Sequence, residues 1–426
     1  MAPLISTRGG ITVKAYGLTN GAAADFRAFF ITTGNPTNFV WNADSTGNLY
    51  AGGNIPGVSS NLIKINGVAG VLSWQKQDTT NTAFASVRQT VVENSTGLVT
   101  LGNAPSGTGF HYLLNSSGVI QYQRRMNGGA NGKGLESYPK GLDTSGNLHG
   151  GIASSGAQFY VSKFSSTGTL TWQRQLTRSG VDVYFYGGTT IDSSGAVYSA
   201  FTGLDNSSGN WHPTFSKYNS SGTIQWMQTN WATGMRAREI SSQLTGNPAA
   251  VMDVVNSNSR WITVSFNAST GAIVFARELT GPSIVSRAVA TDTSGNVYSV
   301  GIVGATEIYI AKYNSSGALQ WQRRVTSSGT LRTDETKIIV ADTLNYYLSF
   351  NSPTGSYCLK LPQDGTLTGS YVIGGQTITY ATTTALTDAA YSGSWNANLY
   401  TDASGAQGFI TSTNTLTDST LTLSRI

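Results

Sequence analysis

Four aspartates open the same short pattern, each three residues ahead of a glycine: Asp44-Ser45-Thr46-Gly47-Asn48-Leu49-Tyr50, Asp143-Thr144-Ser145-Gly146-Asn147-Leu148-His149, Asp192-Ser193-Ser194-Gly195-Ala196-Val197-Tyr198 and Asp292-Thr293-Ser294-Gly295-Asn296-Val297-Tyr298. Carboxylates of this kind could bind calcium, which needs several oxygen ligands on one loop. They could also hydrolyse a glycosidic bond, which needs two carboxyl groups facing it. Each turn offers a single carboxylate, and its recurrence is too regular for a catalytic pair. The expected role is therefore within the turn itself, where an Asp side chain accepts hydrogen bonds from backbone N–H groups about two residues on. The acids off this pattern, Asp182 and the pair Asp334-Glu335, are not brought together by anything in the sequence.

The remaining chemistry-bearing residues are equally scattered. His111, His149 and His212 stand singly, and no His-x-x-x-His, Gly-x-Ser-x-Gly or phosphate-binding loop occurs. A lone cysteine, Cys358, makes neither an internal disulfide nor a thiolate zinc cluster, and is expected to be a small buried apolar residue. The reading is no enzyme, no cofactor and no metal. Exposed aromatic rings could instead stack on sugars. Trp74, Tyr122, Trp172, Trp226, Phe275 and Trp321 recur at one place in a repeat and are expected in the core, which leaves Trp211, Trp231, Tyr184, Tyr186 and Trp395 off the pattern. An insert, residues 203–212, lengthens one unit and ends in Trp211-His212; loop insertions on a rigid scaffold often carry recognition. Trp211, His212, Trp231 and Trp395 are thus the candidate glycan or partner contacts.

The elements that would position these residues are two hairpins written many times. Lys312-Tyr313-Asn314-Ser315-Ser316-Gly317-Ala318-Leu319-Gln320-Trp321 is nearly repeated at Lys217 to Trp226 and Lys163 to Trp172, with weaker copies elsewhere. The turn glycines Gly70, Gly118, Gly168, Gly222, Gly271, Gly317 and Gly365 are spaced by 48, 50, 54, 49, 46 and 48 residues. Alternating apolar and polar residues form a strand, an Asn/Ser/Gly run turns it, and glycine supplies the positive φ. The Asp-x-x-Gly turn adds a second hairpin per period. Four short antiparallel strands every 46 to 54 residues match one propeller blade, and seven such periods suit a closed ring.

Composition agrees with an all-β chain: 50 glycines against 10 prolines, only 11% charged residues, and a net charge of +5 with no dense Lys/Arg run. No specific nucleic-acid partner is expected. Lys76, Arg124, Arg125, Arg174, Arg323 and Arg324 recur in the last strand of a unit, where exposed charge would discourage edge-to-edge pairing. No run of about twenty apolar residues suggests membrane insertion, and the N-terminus lacks the apolar core of a secretory signal.

Asp-x-x-Gly-Asn-x-Tyr together with Lys-Tyr-Asn-x-x-Gly-x-x-x-Trp resembles the bacterial β-propeller repeat family over most of residues 37–373. The opening Ser6-Thr7-Arg8-Gly9-Gly10 and Lys14-Ala15-Tyr16-Gly17-Leu18 resemble leaders of tail and fibre proteins of tailed bacteriophages. The expected architecture is an N-terminal leader, 1–36, with one short strand at Phe26 to Thr33; a propeller of seven four-stranded blades, 37–373; and a Thr-rich β segment, 374–426, with one more hairpin at Asp402 to Ala406. Six blades with a diverged domain, or eight using C-terminal strands, stay open. The resemblance implies a non-enzymatic virion structural protein, tail-associated and made in the host cytoplasm. Arg8, Gly9 and Gly10 would serve as a docking segment, with other virion proteins and further copies of the chain as partners. The alternatives are a lectin-like adhesin for host-surface glycan and an enzyme acting on polysaccharide, which would require converging carboxylates.

Overall fold

The computed structural model describes residues 4–8, 11–17, 27–33, 39–44, 47–55, 59–66, 71–78, 86–92, 98–103, 109–126, 136–143, 145–154, 158–184, 187–230, 234–242, 246–254, 260–281, 283–304, 306–340, 344–397, 401–404, 409–411, 416–418 and 422–424. Its regular elements there are all β-strands, and every strand pairing is antiparallel. The arrangement is a β-propeller.

Six sheets are blades whose four ring strands follow one another in the chain. Blade one runs from Phe39–Ala43 to Val71–Asp78, blade two from Ser86–Val92 to Ile120–Met126, and blade three from Glu136–Leu142 to Leu170–Thr177. Blade four runs from Val181–Tyr184, whose inner position is shared with Thr189–Ile191, to Ile224–Asn230; blade five from Met235–Ser241 to Ile273–Thr280; and blade six from Ile284–Thr291 to Leu319–Ser327.

The expectation of seven four-stranded blades between 37 and 373 is corrected to six, because the last repeat does not make a blade of its own consecutive strands. Arg332–Ile339, Asn345–Ser352 and Gly355–Pro362 form three strands, and the fourth is Arg27–Thr33 from the N-terminal segment. It pairs Arg27 with Lys360, Phe29 with Cys358 and Ile31 with Ser356. Residues 369–373, expected as that unit's outer strand, instead join the sheet of blade six. The reason is apolar content. Ala28, Phe29 and Ile31 are fully buried and Phe30 nearly so, with the Phe30 ring 4.8 Å from that of Tyr357. Residues 369–373 leave Val372 69% exposed and could not fill that place.

This composite sheet closes the ring. Its inner strand packs between the inner strands of blades six and one. Across the join to blade one, Trp41 Nε1 donates to Ser356 Oγ at 2.7 Å, and Asn351 Nδ2 donates to the Phe39 carbonyl at 3.1 Å. Cys358 is fully buried in the same cluster as Phe29 and Trp41, and burial pushes its thiol well above the ordinary range.

Because all pairings alternate in direction, the two repeated turns of each blade lie at the same end of the ring. There the recurring motif residues latch one unit to the next. Trp74 Nε1 and Lys64 Nζ both donate to the Ser116 carbonyl of the following blade, at 2.9 and 3.2 Å. Trp226 and Lys217 do the same to Ala268 at 3.2 and 2.8 Å, and Trp321 and Lys312 to Gln363 at 3.3 and 3.0 Å. The turn glycine two or three residues beyond that carbonyl lies on the donor's ring. At Gly222, φ is +82°, and a Cβ would sit 2.7 Å from the Trp172 ring. Glycine is therefore required twice over, by backbone conformation and by the aromatic face of the preceding blade.

Gly180 separates these two demands, since its φ is +73° but a Cβ there would meet nothing within 4 Å. Gly180→Ala is expected to lose about 1 to 2 kcal/mol for the left-handed backbone alone. Gly222→Ala should lose a further 1 to 3 kcal/mol, roughly, as the Trp172 ring is displaced. Urea unfolding of the two variants checks this, and equal losses would show that the latch carries no load.

Candidate functional site

The outer rim is where this chain departs from a plain ring of sheets. After the hairpin Gly369–Ile373 and Gln376–Thr382, the C-terminal residues travel round the ring in reverse order, adding one strand to each sheet in turn. Gln376–Thr382 lies along the outer strand of blade six, Thr387–Ala390 along blade five, Trp395–Ala397 along blade four, and Thr401–Ser404 along blade three. Phe409–Thr411 then covers blade two, Leu416–Asp418 blade one, and Thr422–Ser424 pairs with Leu4–Arg8 at the end of the composite sheet. We call this segment the strap. Its strands are rich in Thr, a β-branched residue suited to a pleated sheet, and their charged residues are Asp388, Asp402 and Asp418 alone.

The strap corrects two expectations. Asp402 to Ser404 are strand, not a turn, because Thr401–Ser404 and Phe409–Thr411 cover different blades and so form no hairpin. The recurrent basic residues also do not lie on an open edge: Lys76 stands opposite Asp418, Arg124 opposite Thr411, Arg174 opposite Ser404, and Arg323 opposite Thr382. The outer strand is paired on both sides, and beyond blade six the new edge is a strap strand of three or four residues, a length that discourages further pairing. Two of these arginines reach sideways instead. Arg174 Nε donates to the Gly222 carbonyl of the next unit, and Arg323 Nε to that of Gly365 at 2.7 Å.

Side chains fix the first half of the strap in the clefts between blades. Leu386 is 4% exposed and joins the apolar cluster shared by blades five and six, while Gln322 Nε2 holds its carbonyl at 3.0 Å. Tyr391 is buried beside Met235, its hydroxyl bonded with the Asn230 side chain at 3.1 Å. Trp395 places its ring 5.6 Å from Phe266 and 6.1 Å from Phe215. Arg277 and Asp388 form a two-pronged ion pair between blade five and the strap. Each such buried side chain is worth roughly 1.5 to 3 kcal/mol in removed apolar surface.

The aspartate turns show saturated carboxylates. Asp192 Oδ1 accepts the N–H groups of Ser194 and Ala196 at 2.9 and 3.0 Å, and Oδ2 accepts the Tyr198 hydroxyl at 3.0 Å. Asp292 repeats this with Ser294, Asn296 and Tyr298, and Asp44 with Asn48 and Tyr50. The latch lysine lies over the same tyrosine, 5.4 Å from the Tyr50 ring centre, 5.1 Å from Tyr198 and 5.0 Å from Tyr298. Burial and the adjoining carboxylate push all three phenols up. Among the described residues, no group of three His, Cys, Asp or Glu is placed to hold a metal ion.

Blade three puts His149 where the others put tyrosine. Its Nε2 lies 3.5 Å from Asp143 Oδ2 and its ring 6.2 Å from Trp172. Burial pushes the imidazole below its ordinary value despite the carboxylate. Burial alone would raise Asp143, but the approach of His149 and the hydrogen bonds from Asn147 outweigh it and hold the carboxyl well below the usual range.

The structure scatters the candidate contact residues. The insert 203–212 is not an open loop. It continues the sheet of blade four as a long hairpin, Val197–Asp205 and Asn210–Tyr218, with a tight turn at 206–209. His212 is 3% exposed in this hairpin and cannot meet a ligand from solution, whereas Trp211 is half-buried opposite Leu204. Trp395 is a strap anchor whose ring is spent on Phe215 and Phe266. Arg8 ends the strand paired with the strap's last residues, while Gly9, Gly10, Trp231 and Tyr186 lie outside the described residues. What sequence reasoning missed is the path of the strap round the rim. Its signal was the low-charge, Thr-rich run after 374, but which strand each piece would cover had no local mark.

No protein-family model matches the chain, and no curated protein does. Among solved structures, Raptor from Chaetomium thermophilum is similar at 8% identity and a TM-score of 0.48, over 76% of this chain and 29% of that one. A europium-containing methanol dehydrogenase is similar at 10% identity and 0.42, over 75% of this chain and 76% of that one. An uncharacterised protein of Listeria monocytogenes EGD-e is similar at 9% and 0.41, over 74% of this chain and 90% of that one.

The His149 and Asp143 pair yields a pH prediction. The folded state disfavours protonated His149, so the unfolded state binds more protons as pH falls through about 6.5, and stability is lost there. His149→Tyr, which restores the residue of the sister turns, should flatten the fall in melting temperature between about pH 7.5 and 5. Parallel slopes for variant and parent in thermal melts would refute it.

Proposed function

We propose that this chain is a non-enzymatic structural subunit of a bacteriophage virion, tail-associated, in which the ring of seven sheets works as a rigid body. The observation that supports this reading most is that both chain ends are drawn into sheet pairing on the rim. Leu4–Arg8, Ile11–Gly17 and Arg27–Thr33 extend the composite sheet outward, and Thr422–Ser424 finishes it. A contact made through the segment around Arg8 is thereby coupled by backbone hydrogen bonds to the whole ring, which is what a load-bearing subunit requires. The phage-like leader supplies the assignment to a tail. Mass spectrometry of purified phage particles tests it: the chain should be recovered with the tail proteins, and its absence from the particles would overturn the reading.

A second reading, recognition of a host-surface glycan, is favoured by the long hairpin of blade four. That hairpin projects at the end of the ring opposite the motif turns and carries half-buried Trp211. Trp211→Ala should abolish any signal on a glycan array, and unchanged binding would remove this hairpin from consideration.

A further inference from the structure

The rim and the strap are made for each other, and nothing in their geometry ties them to the same chain. No strap strand lies between two ring strands. From Thr387–Ala390 to Leu416–Asp418 each covers only the outermost ring strand of its sheet, and Thr422–Ser424 covers Leu4–Arg8 outside the ring strands, so the strap can leave while every pairing within the ring stays intact. Its side-chain anchors enter the clefts from outside: Leu386 between blades five and six, then Tyr391 and Trp395 between blades four and five.

The point at which it could leave is well marked. Gln376–Thr382 is held fast, with Ile378 and Tyr380 each 1% exposed and the Tyr380 hydroxyl 2.6 Å from that of Tyr346. This strand is also bound to its hairpin partner through Gly374 and Gly375, at φ +59° and +79°. The next residues, 383–385, are largely exposed and lightly held: Thr383 N donates to the Gln322 carbonyl at 3.4 Å, and Ala385 N to the neighbouring Thr383 Oγ1 at 3.2 Å. From Leu386 on, strap strands make three or four paired positions each, against five for Gln376–Thr382.

From these features the geometry points to strap exchange between copies of this chain: the strap strands from Thr387–Ala390 to Leu416–Asp418 of one copy lie on the rim of blades five to one of another, with the linker 383–385 as the hinge. The occupant is fixed by what already sits there. The Arg277 and Asp388 ion pair, the Tyr391 and Asn230 bond and the register Thr280 to Thr387 are satisfied identically by a second copy's strap. Exchange of an identical element replaces every contact with its equal, which makes it a low-cost route to association. The own-chain strap is favoured in dilute solution, because a short linker holds it at an effective concentration on the order of millimolar. Packing of copies side by side in a particle removes that advantage. The inference rests on the proposed structural role, and it names the partner as the chain itself.

Thr280 and Thr387 stand opposite one another and are both exposed. Opposed strand residues have Cα atoms roughly 4.5 to 5.5 Å apart, within disulfide range. Full-length Thr280→Cys and Thr387→Cys chains, carrying tags of different size, are mixed over a range of concentrations and oxidised. Non-reducing gels should show a cross-linked pair of chains whose yield rises with concentration and approaches half of the material near millimolar protein. The double variant in one chain, when dilute, should close its disulfide internally. Absence of any cross-linked pair at millimolar concentration, while the double variant closes internally, would overturn strap exchange. Presence or absence of the chain in purified particles is read separately, so the two ideas can fail independently.

Discussion

An unpaired strand edge is the constraint on which this architecture turns. A ring of sheets removes edges at the hub but leaves one on the outside of every sheet, with rows of N–H and C=O groups open to any passing strand. Proteins often blunt such edges with charge. This chain, only 11% charged, covers them with its own backbone. One segment supplies a strand to each sheet, and its Thr-rich, low-charge composition would be hazardous anywhere else. Low charge and a long strand-forming tail therefore belong to one solution.

Within the ring, cohesion is set by a small network repeated from unit to unit. An aspartate holds its own turn and the tyrosine hydroxyl, a lysine lies over that tyrosine, and the lysine and a tryptophan reach one carbonyl of the next unit. That carbonyl can be reached only because the following turn brings a glycine onto the tryptophan face. Each group is satisfied by the others, which is how a buried polar cluster stabilises without leaving an unpaired group. The same saturation explains why these carboxylates are poor ligands for anything else. His149, the one substitution in the tyrosine place among these turns, keeps the contact to the aspartate but introduces a titrating group.

Most of this network was legible in the sequence because it is local. Asp192 and Tyr198, or Asn219 and Gly222, are separated by a few residues, and their types recur at fixed offsets. The assignment of Trp172, Trp226 and Trp321 to the seams followed from the same regularity. What the sequence did not carry was pairing at long range. Arg27–Thr33 meets residues 356–360 across more than 320 positions, and each strap strand meets a different partner. Strand pairing at such separations is decided by which edge remains open and which side chains fit the cleft. Neither Phe29 nor Tyr391 announces that locally. For the same reason the insert 203–212 reads as a loop by its Asn/Ser/Gly content, when its ends are strands of blade four and only 206–209 turn.

The composite sheet brings these threads together. In order across its width it holds the last repeat, then the N-terminal strands, then the final strap strand Thr422–Ser424. Ring closure and the strap's end therefore belong to one sheet but to different pairings: Arg27–Thr33 on residues 356–360 shuts the ring, and Leu4–Arg8 receives Thr422–Ser424. The strap's end thus reaches the ring through Leu4–Arg8 and Ile11–Gly17, while its other strands lie directly on the blades. A segment held outside pairings that close without it can be exchanged for an identical one wherever an uncovered rim is within reach.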